Sequence, residues 1–230
     1  MASSEDRVVV VTGGAGALGR AVVEEFRGAG WQVAAVDLAG PGLDEVGAAD
    51  GVHPIAAQLA ERAGVQAAFE QVDAIGAASA LVTLVGGFRP SSLADLSEDI
   101  WADMWQTNVA SMVWACQAAA ARMGRTGGGS IVTVGSKTAV GGAAPVAHAT
   151  SKAAVLRMTE LLAEELRPQR IRVNCVLPSV IDTPANRTWM SEDLASRAVA
   201  PAAIAKVIAF LTSPEAALIS GARVPVYGDA

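Results

Sequence analysis

A run of small residues between an apolar segment and a helical segment constrains this chain more than any other feature. Residues 8–11 are consecutive valines, and the segment Thr12-Gly13-Gly14-Ala15-Gly16-Ala17-Leu18-Gly19 follows them directly. Glycines in such a turn let the backbone approach a pyrophosphate, and the free N–H groups that begin the next helix favour an anion. The strand–loop–helix order therefore predicts a dinucleotide-binding unit. The alternative interpretation is a tight turn that holds no ligand.

The rest of the chain repeats this alternation of short apolar segments and longer helical patterns, which is typical of βαβ units and a parallel sheet. The predicted strands lie near residues 7–12, 32–37, 52–57, 80–85, 130–135, 171–177 and 223–227. The predicted helices lie near residues 17–29, 61–72, 99–123, 147–167 and 201–213. No linker-like composition separates two halves. We therefore predict an α/β fold with a doubly wound parallel sheet, in a single domain over residues 1–230, with residues 1–6 disordered.

Composition and charge exclude several classes of protein. Hydrophobic residues make up 52% of the chain, as expected of a well-packed domain, but its apolar runs are too short to span a bilayer. The net charge of −6 argues against a nucleic-acid partner. The two cysteines have no disulfide or metal-ligand spacing, and the polar N-terminus has no signal-peptide pattern. We expect a cytoplasmic protein with a small-molecule substrate and with no metal, nucleic-acid or membrane partner.

Four polar residues occur in the order and context of a known catalytic set. Asn108 lies in a long helical segment, Ser136 follows the predicted strand 130–135, and the segment His148-Ala149-Thr150-Ser151-Lys152 begins the next helix. With the glycine loop, they make residues 7–228 resemble the short-chain dehydrogenase/reductase family. The resemblance implies a Rossmann fold and four roles. Ser136 would polarise the substrate oxygen, Lys152 would bind the nicotinamide ribose, Asn108 would hold a water, and His148 would stand where the family has its acid/base tyrosine.

The resemblance also implies a set of cofactor-binding residues. Asp37, which ends the second strand, would bind both ribose hydroxyls of NAD and repel the extra phosphate of NADP, so we expect NAD(H) rather than NADP(H). Several positions depart from the family pattern: Ala17 and Ser179 replace glycines, Gln58 replaces an aspartate near the adenine, and residues 83–85 replace Asn-Asn-Ala. The implied cofactor-binding residues are Gly13, Gly14, Ala17, Leu18, Gly19, Asp37, Gln58, Leu59, Val85, Gly86, Lys152, Pro178, Ser179, Ile181 and Thr183.

His148 determines which reactions the site could support. His148 and Lys152 share one helix face at i and i+4. A nearby ammonium lowers the pKa of an imidazole, so we expect His148 to be mostly neutral at neutral pH. A neutral imidazole is suited to act as a base in alcohol oxidation and is a depleted acid for ketone reduction. The sequence predicts an NAD(H)-dependent oxidoreductase for a small carbonyl or alcohol. The alternatives are a non-redox enzyme (isomerisation, dehydration or cyclisation) and an inactive NAD-binding or scaffold protein.

Residues around this set have less specific interpretations. We expect Lys137 to point away from Ser136, since adjacent strand-end side chains face opposite ways. Trp101 and Trp105, at i and i+4, suggest packing or a subunit contact. Trp189, with Met190, is a candidate substrate wall. In the family, the equivalents of helices 99–123 and 147–167 form a dimer contact, so the resemblance implies a homodimer or homotetramer.

Overall fold

The computed structural model describes residues 7–229, in which seven parallel strands form one sheet in the order β3-β2-β1-β4-β5-β6-β7. The predicted disorder of residues 1–6 lies outside the described residues. Val8–Val11 and Val33–Val36 are completely or almost completely buried, as expected of central parallel strands that are covered on both faces. The strands are β1 (Val8–Thr12), β2 (Gln32–Asp37), β3 (Val52–Ala56), β4 (Ala78–Thr83), β5 (Gly129–Val134), β6 (Ile171–Pro178) and β7 (Arg223–Val226).

Helices cover both faces of the sheet and enclose two apolar clusters. One face carries α1, α2 and α9, whose buried residues include Phe26, Leu43 and Ile208. The other carries α3, α5 and α6, with Phe69 and Met123 among the buried residues. The helices are α1 (Ala17–Gly28), α2 (Pro41–Gly47), α3 (Arg62–Ile75), α4 (Glu98–Trp105), α5 (Ser111–Thr126), α6 (Val146–Glu165), α7 (Pro184–Arg187), α8 (Glu192–Arg197) and α9 (Pro201–Thr212). The predicted doubly wound parallel sheet is confirmed.

The structure corrects the predicted elements at several points. The helix predicted over residues 99–123 is divided into α4 and α5 by a π-helical turn at Gln106–Ala110. Strand β4 runs over Ala78–Thr83 instead of 80–85, so Val85 lies beyond it. The sequence analysis missed α2, α7 and α8, which span only Pro41–Gly47, Pro184–Arg187 and Glu192–Arg197. These helices are too short to show a clear helical periodicity.

The glycine loop brings α1 close to the end of β1. Gly13 has a φ of +75°, a left-handed conformation that favours glycine. A Cβ atom on Gly19 would lie 2.0 Å from the Gly13 carbonyl oxygen, so the first turn of α1 can approach the loop only with glycine there. Over residues 7–229, no helix combines the length and the apolar character that a membrane span requires.

Candidate active site

The C-terminal ends of strands β1 to β6 place the candidate residues along one edge of the sheet, where open α/β sheets bind their ligands. The order of the sheet reverses between β1 and β4 at this edge. The glycine loop follows β1 and Asp37 ends β2, while Gly86 comes shortly after β4 and Ser136 after β5. Sheet topology thus gathers residues that are far apart in the sequence.

The first turn of α1 has free backbone donors at this edge. The N-cap residue is Gly16, which has no side chain to accept from the first N–H groups, and the first turn contains no acidic side chain. The first N–H groups of α1 and the positive end of its dipole can therefore accept an anion. The side chain of Ala17, which replaces a family glycine, is exposed.

Asp37 is held rigidly beside the glycine loop. One carboxylate oxygen accepts from the Ala15 backbone N–H at 2.9 Å, and the other accepts from the Leu38 N–H at 2.8 Å. The nearby Arg20 guanidinium donates to the Ala15 carbonyl oxygen and forms an ion pair with Glu45 at 2.9 Å. Arg20, which was not among the residues predicted from the sequence, therefore places a positive charge near Asp37, and Glu45 already neutralises it.

Gln58 and Leu59 lie at the turn that follows β3. The Gln58 side chain is exposed, and its oxygen accepts from the Ala60 N–H at 3.2 Å. Leu59 is 3% exposed and packs in the apolar cluster beneath α3. The side chain of Leu59 therefore serves the core, and the polar group offered to solvent is that of Gln58.

Asn108 clamps the backbone of Gly87 from the π-helical turn. Its Oδ1 accepts from the Gly87 N–H at 2.8 Å, while its Nδ2 donates to the Gly87 carbonyl at 3.2 Å and to Ser151 Oγ at 2.9 Å. A Cβ atom on Gly86 would lie 3.0 Å from Asn108 Oδ1 and 3.1 Å from Lys152 Nζ. The absence of a side chain at Gly86 therefore keeps the space beside Asn108 and Lys152 open.

Lys152 is buried below this space. Its Nζ donates to the Val134 carbonyl at 2.9 Å, at the end of β5. Burial lowers the pKa of Lys152 from 10.5 to about 8, because the charged form is poorly solvated. Lys152 therefore still carries its charge at neutral pH, but it loses its proton at a lower pH than a surface lysine does.

His148 lies one helical turn before Lys152 and contacts the same glycine pair. Its Nδ1 is 3.2 Å from the Gly87 carbonyl oxygen. A carbonyl oxygen only accepts, so this contact needs the proton on Nδ1 and leaves the Nε2 lone pair free in the neutral ring. Burial and the Lys152 ammonium lower the pKa of His148 below 6.5, despite the opposing effect of the Gly87 carbonyl. The Phe88 ring packs edge-on against the imidazole at 5.0 Å.

Ser136 accepts two hydrogen bonds from a single neighbour. Its Oγ receives the Thr138 backbone N–H at 3.2 Å and the Thr138 hydroxyl at 2.8 Å. Both lone pairs of the serine oxygen are thereby used, and its own O–H remains free to donate. Thr138 was not predicted from the sequence. The available signal was its position two residues after Ser136, because a serine side chain commonly bonds to the residue two positions later.

The segment after β6 is held by other parts of the chain. Pro178 is buried at the end of β6, and Ser179 Oγ donates to the Tyr227 carbonyl. Ile181 forms an isolated parallel bridge with Val199. Thr183 accepts from the Asn186 N–H at 3.1 Å, which caps the short helix α7. The hydroxyl of Thr183 still has its own proton to donate.

The neighbouring side chains separate into packing and rim residues. The Lys137 ammonium lies 5.3 Å from the centre of the Tyr227 ring, while Ser136 bonds with Thr138. The Trp101 and Trp105 rings are 5.7 Å apart, as expected of a packed i, i+4 pair. Trp189 is 59% exposed and Phe88 is 57% exposed, so both can change position around a ligand. Phe88 was missed in the sequence because nothing in its local pattern marks it.

The chain is similar to known proteins over most of its length. A family model described as short chain dehydrogenase matches residues 7–194. A probable galactose dehydrogenase from Rhizobium meliloti is 35% identical over 201 residues, which cover 84% of this chain and 78% of that protein. A D-threitol dehydrogenase from Mycolicibacterium smegmatis is 32% identical over 240 residues, covering 97% and 92%. A 3-ketoacyl-(acyl-carrier-protein) reductase from Brucella melitensis, complexed with NADH, superposes with a TM-score of 0.90 at 26% identity, covering 98% of each chain.

Proposed function

The chain belongs to the short-chain dehydrogenase family, and we propose that it is an NAD(H)-dependent oxidoreductase for a small alcohol or carbonyl, with His148 as its acid/base. The observation that carries this proposal is the arrangement of His148 and Lys152. They lie on successive turns of α6, and the Gly87 carbonyl orients the imidazole so that Nε2 is free. An acid/base group with a fixed tautomer beside a buried cation is an arrangement suited to proton transfer at a reacting oxygen.

The residues present fit a dinucleotide. The uncapped first turn of α1 suits a pyrophosphate, and the gap at Gly86 lets a ribose approach Lys152. Asp37 would accept from the hydroxyls of the other ribose. When bound, the nicotinamide supplies or accepts the hydride, and the side chains of this chain handle the proton.

Ser136 is suited to hold the substrate oxygen. Both of its lone pairs are occupied by Thr138, so its hydroxyl donates to the alkoxide or carbonyl oxygen. The Lys152 ammonium, which donates to the Val134 carbonyl two residues before Ser136, would favour negative charge nearby. In alcohol oxidation, neutral His148 takes the hydroxyl proton on Nε2. In reduction, protonated His148 returns it, and its lowered pKa makes this form scarce at pH 7.

The test is to measure turnover as a change in the absorbance of reduced nicotinamide. The names of the relatives suggest a panel: D-threitol and D-galactose with NAD, and a 3-oxoacyl thioester with NADH. Hydride transfer to or from one of these substrates supports the proposal. Turnover with no change in nicotinamide absorbance would instead indicate a non-redox enzyme. Dinucleotide binding with no turnover across a wider panel of alcohols and carbonyls would indicate an inactive binding protein.

We also propose that the protein forms a homodimer or homotetramer through α5 and α6. A groove between these helices is lined by partly exposed apolar side chains, including Val113, Met158 and Leu162. Burying such a face against a second copy would remove apolar surface from water. Sedimentation analysis checks this expectation.

Changing Asp37 to serine is expected to weaken NADH binding by about 10-fold and to strengthen NADPH binding. Serine is shorter than aspartate, so it removes the oxygen that accepts from the Ala15 N–H together with the negative charge that repels a ribose phosphate. Calorimetric dissociation constants for both dinucleotides provide the measurement. The control is Asp44→Ser, which removes an exposed carboxylate from α2 and should change neither constant. An unchanged NADH/NADPH ratio in Asp37→Ser would contradict the assignment of Asp37.

Changing Thr138 to valine is expected to lower kcat by roughly 5-fold with little change in KM, since one hydrogen bond to a reacting hydroxyl is worth about 1 kcal/mol. Valine keeps the shape and the backbone N–H but loses the hydroxyl that donates to Ser136 Oγ at 2.8 Å. Thr138→Ser restores the hydroxyl and should restore kcat. A merely structural role for Thr138 would lower the melting temperature of Thr138→Val and leave kcat unchanged.

A further inference from the structure

A cavity of about 240 Å³ opens at the edge of the sheet opposite the candidate active site. It is lined by residues at or next to the N-terminal ends of the adjacent strands β2, β1, β4, β5 and β6, and by the end of α9 and the turn after it. Arg7, Ser79, Ser130 and Arg172 are the polar residues that these strands contribute. No residue of the glycine loop or of the Asn108, Ser136, His148 and Lys152 set lines it among the described residues.

Two polar atoms of the cavity are buried without a hydrogen-bond partner. These atoms are Arg7 Nε and Ser79 Oγ. By contrast, Ser130 Oγ donates to the Leu211 carbonyl at 3.1 Å. Burying a polar atom without a partner is unfavourable, so two such atoms in one cavity indicate a place suited to a hydrogen-bonding ligand.

The charge of the cavity indicates which kind of ligand would fill it. Arg7 stacks over the Trp31 ring at 4.6 Å. Arg172 donates to the carbonyls of Leu211, Ser213 and Ile219 at 2.7, 3.1 and 3.3 Å. Within residues 7–229, neither guanidinium has a carboxylate partner and no acidic side chain lines the cavity. Burial lowers the pKa of Arg172 with no opposing attraction from an anion.

From these observations we infer that the cavity binds a small tetrahedral oxyanion of the phosphate class, with Arg7, Ser79 and Arg172 as its donors. Guanidinium groups recognise phosphate oxygens through parallel N–H donors, and a serine hydroxyl adds a further one. The volume lies below the roughly 300–1,000 Å³ of pockets that take drug-sized ligands, which favours an ion or a terminal phosphoryl group. This inference does not depend on the proposed oxidoreductase activity.

Calorimetric titration with inorganic phosphate, at an ionic strength held constant with potassium chloride, tests the site. The wild-type protein is compared with Arg7→Met and Ser79→Ala. Methionine keeps an apolar chain and a sulfur against the Trp31 ring, so packing is retained while the charge is lost. The matched control is Arg62→Met, which removes a guanidinium placed 5.8 Å from the centre of the Trp114 ring, outside the cavity.

Loss of Arg7 or of the Ser79 hydroxyl is expected to weaken phosphate binding, by about 10-fold and about 5-fold respectively, whereas Arg62→Met leaves it unchanged. Unchanged affinity in both cavity variants would place the phosphate elsewhere, for example at α1, and would overturn the inference. So would the absence of binding in the wild type. Glycerol phosphate distinguishes the two sources: affinity equal to that of phosphate assigns the site to a phosphoryl group, and weaker affinity assigns it to the free ion.

The carboxylates of Glu5 and Asp6 directly precede Arg7 in the sequence. The variant Glu5→Gln/Asp6→Asn tests whether they compete for the cavity. Phosphate affinity close to that of the wild type is expected. Phosphate binding that occurs only in this variant would show that the cavity serves the chain's own N-terminal carboxylates, which overturns the inference.

Discussion

Lys152→Met is expected to lower kcat/KM for alcohol oxidation by about 10²–10⁴-fold, the range that a positioned group in proton-transfer catalysis contributes. Methionine has a similar length and fills the same buried space, so the substitution isolates the ammonium. That ammonium donates to the Val134 carbonyl at 2.9 Å and faces the open space at Gly86. In the proposed reaction, its loss would remove both a donor for the cofactor ribose and the positive charge beside the reacting oxygen.

The pH dependence distinguishes this role from simple packing. The pKa of Lys152 is about 8, so wild-type activity should fall as the pH rises through that value and the ammonium is lost. The Lys152→Met variant should lack this alkaline limb. The control Lys206→Met removes an exposed lysine from α9 and should keep both the activity and the limb. An intact alkaline limb in Lys152→Met would assign the titration to another group.

Stability should change in the opposite direction from activity. The folded-state pKa of Lys152 is lowered from 10.5 to about 8, so the folded state binds this proton less tightly than the unfolded state does. The free energy of unfolding of the wild type should therefore rise with pH between about 8 and 10.5, as this penalty is relieved. Lys152→Met should not be less stable than the wild type at pH 7, so its lost activity would not reflect unfolding.

Features with a clear sequence period were predictable, and those set by tertiary contacts were not. The buried valines of β1 and the glycine loop defined the first βα unit, because their pattern is local. The break at Gln106–Ala110 has no sequence signal, since the π-helical turn is stabilised by the contacts that Asn108 makes with Gly87 and Ser151 across the structure. The helix over Pro41–Gly47 is too short to show a period.

In the candidate site too, residues with a sequence pattern were predictable and those defined by tertiary contacts were not. Family order was enough to select Asn108, Ser136, His148 and Lys152, and the structure brings three of them around Gly86 and Gly87. The second hydroxyl, on Thr138, escaped because a threonine two residues from a serine is common in turns. The cavity at Arg7 and Ser79 was also not predictable, because it combines residues at the ends of five strands whose adjacency only the sheet order reveals.

His148→Tyr is expected to raise kcat for carbonyl reduction at pH 7 by about 10-fold or more, whereas His148→Ala should lower kcat in both directions by about 10²-fold. Burial and Lys152 lower the pKa of His148 below 6.5, so its proton-donating form is scarce at pH 7. A tyrosine is protonated at this pH and donates readily beside an ammonium. The larger ring has room because Phe88, which packs against the imidazole at 5.0 Å, is 57% exposed and can move aside.

Alcohol oxidation and carbonyl reduction are expected to depend on pH in opposite ways. In the wild type, oxidation should increase as the pH rises through the lowered pKa of His148, while reduction should decrease over the same range, since one needs the neutral ring and the other the protonated ring. The control is His53→Tyr, which alters the chain's other histidine and should change neither profile. His53 lies outside the candidate site, and its Nε2 is 2.7 Å from Gln32 Oε1. If His148→Ala keeps wild-type rates, His148 is not the acid/base. The Ser136 hydroxyl, whose oxygen accepts two hydrogen bonds from Thr138, would then be the next candidate for exchanging a proton with the substrate.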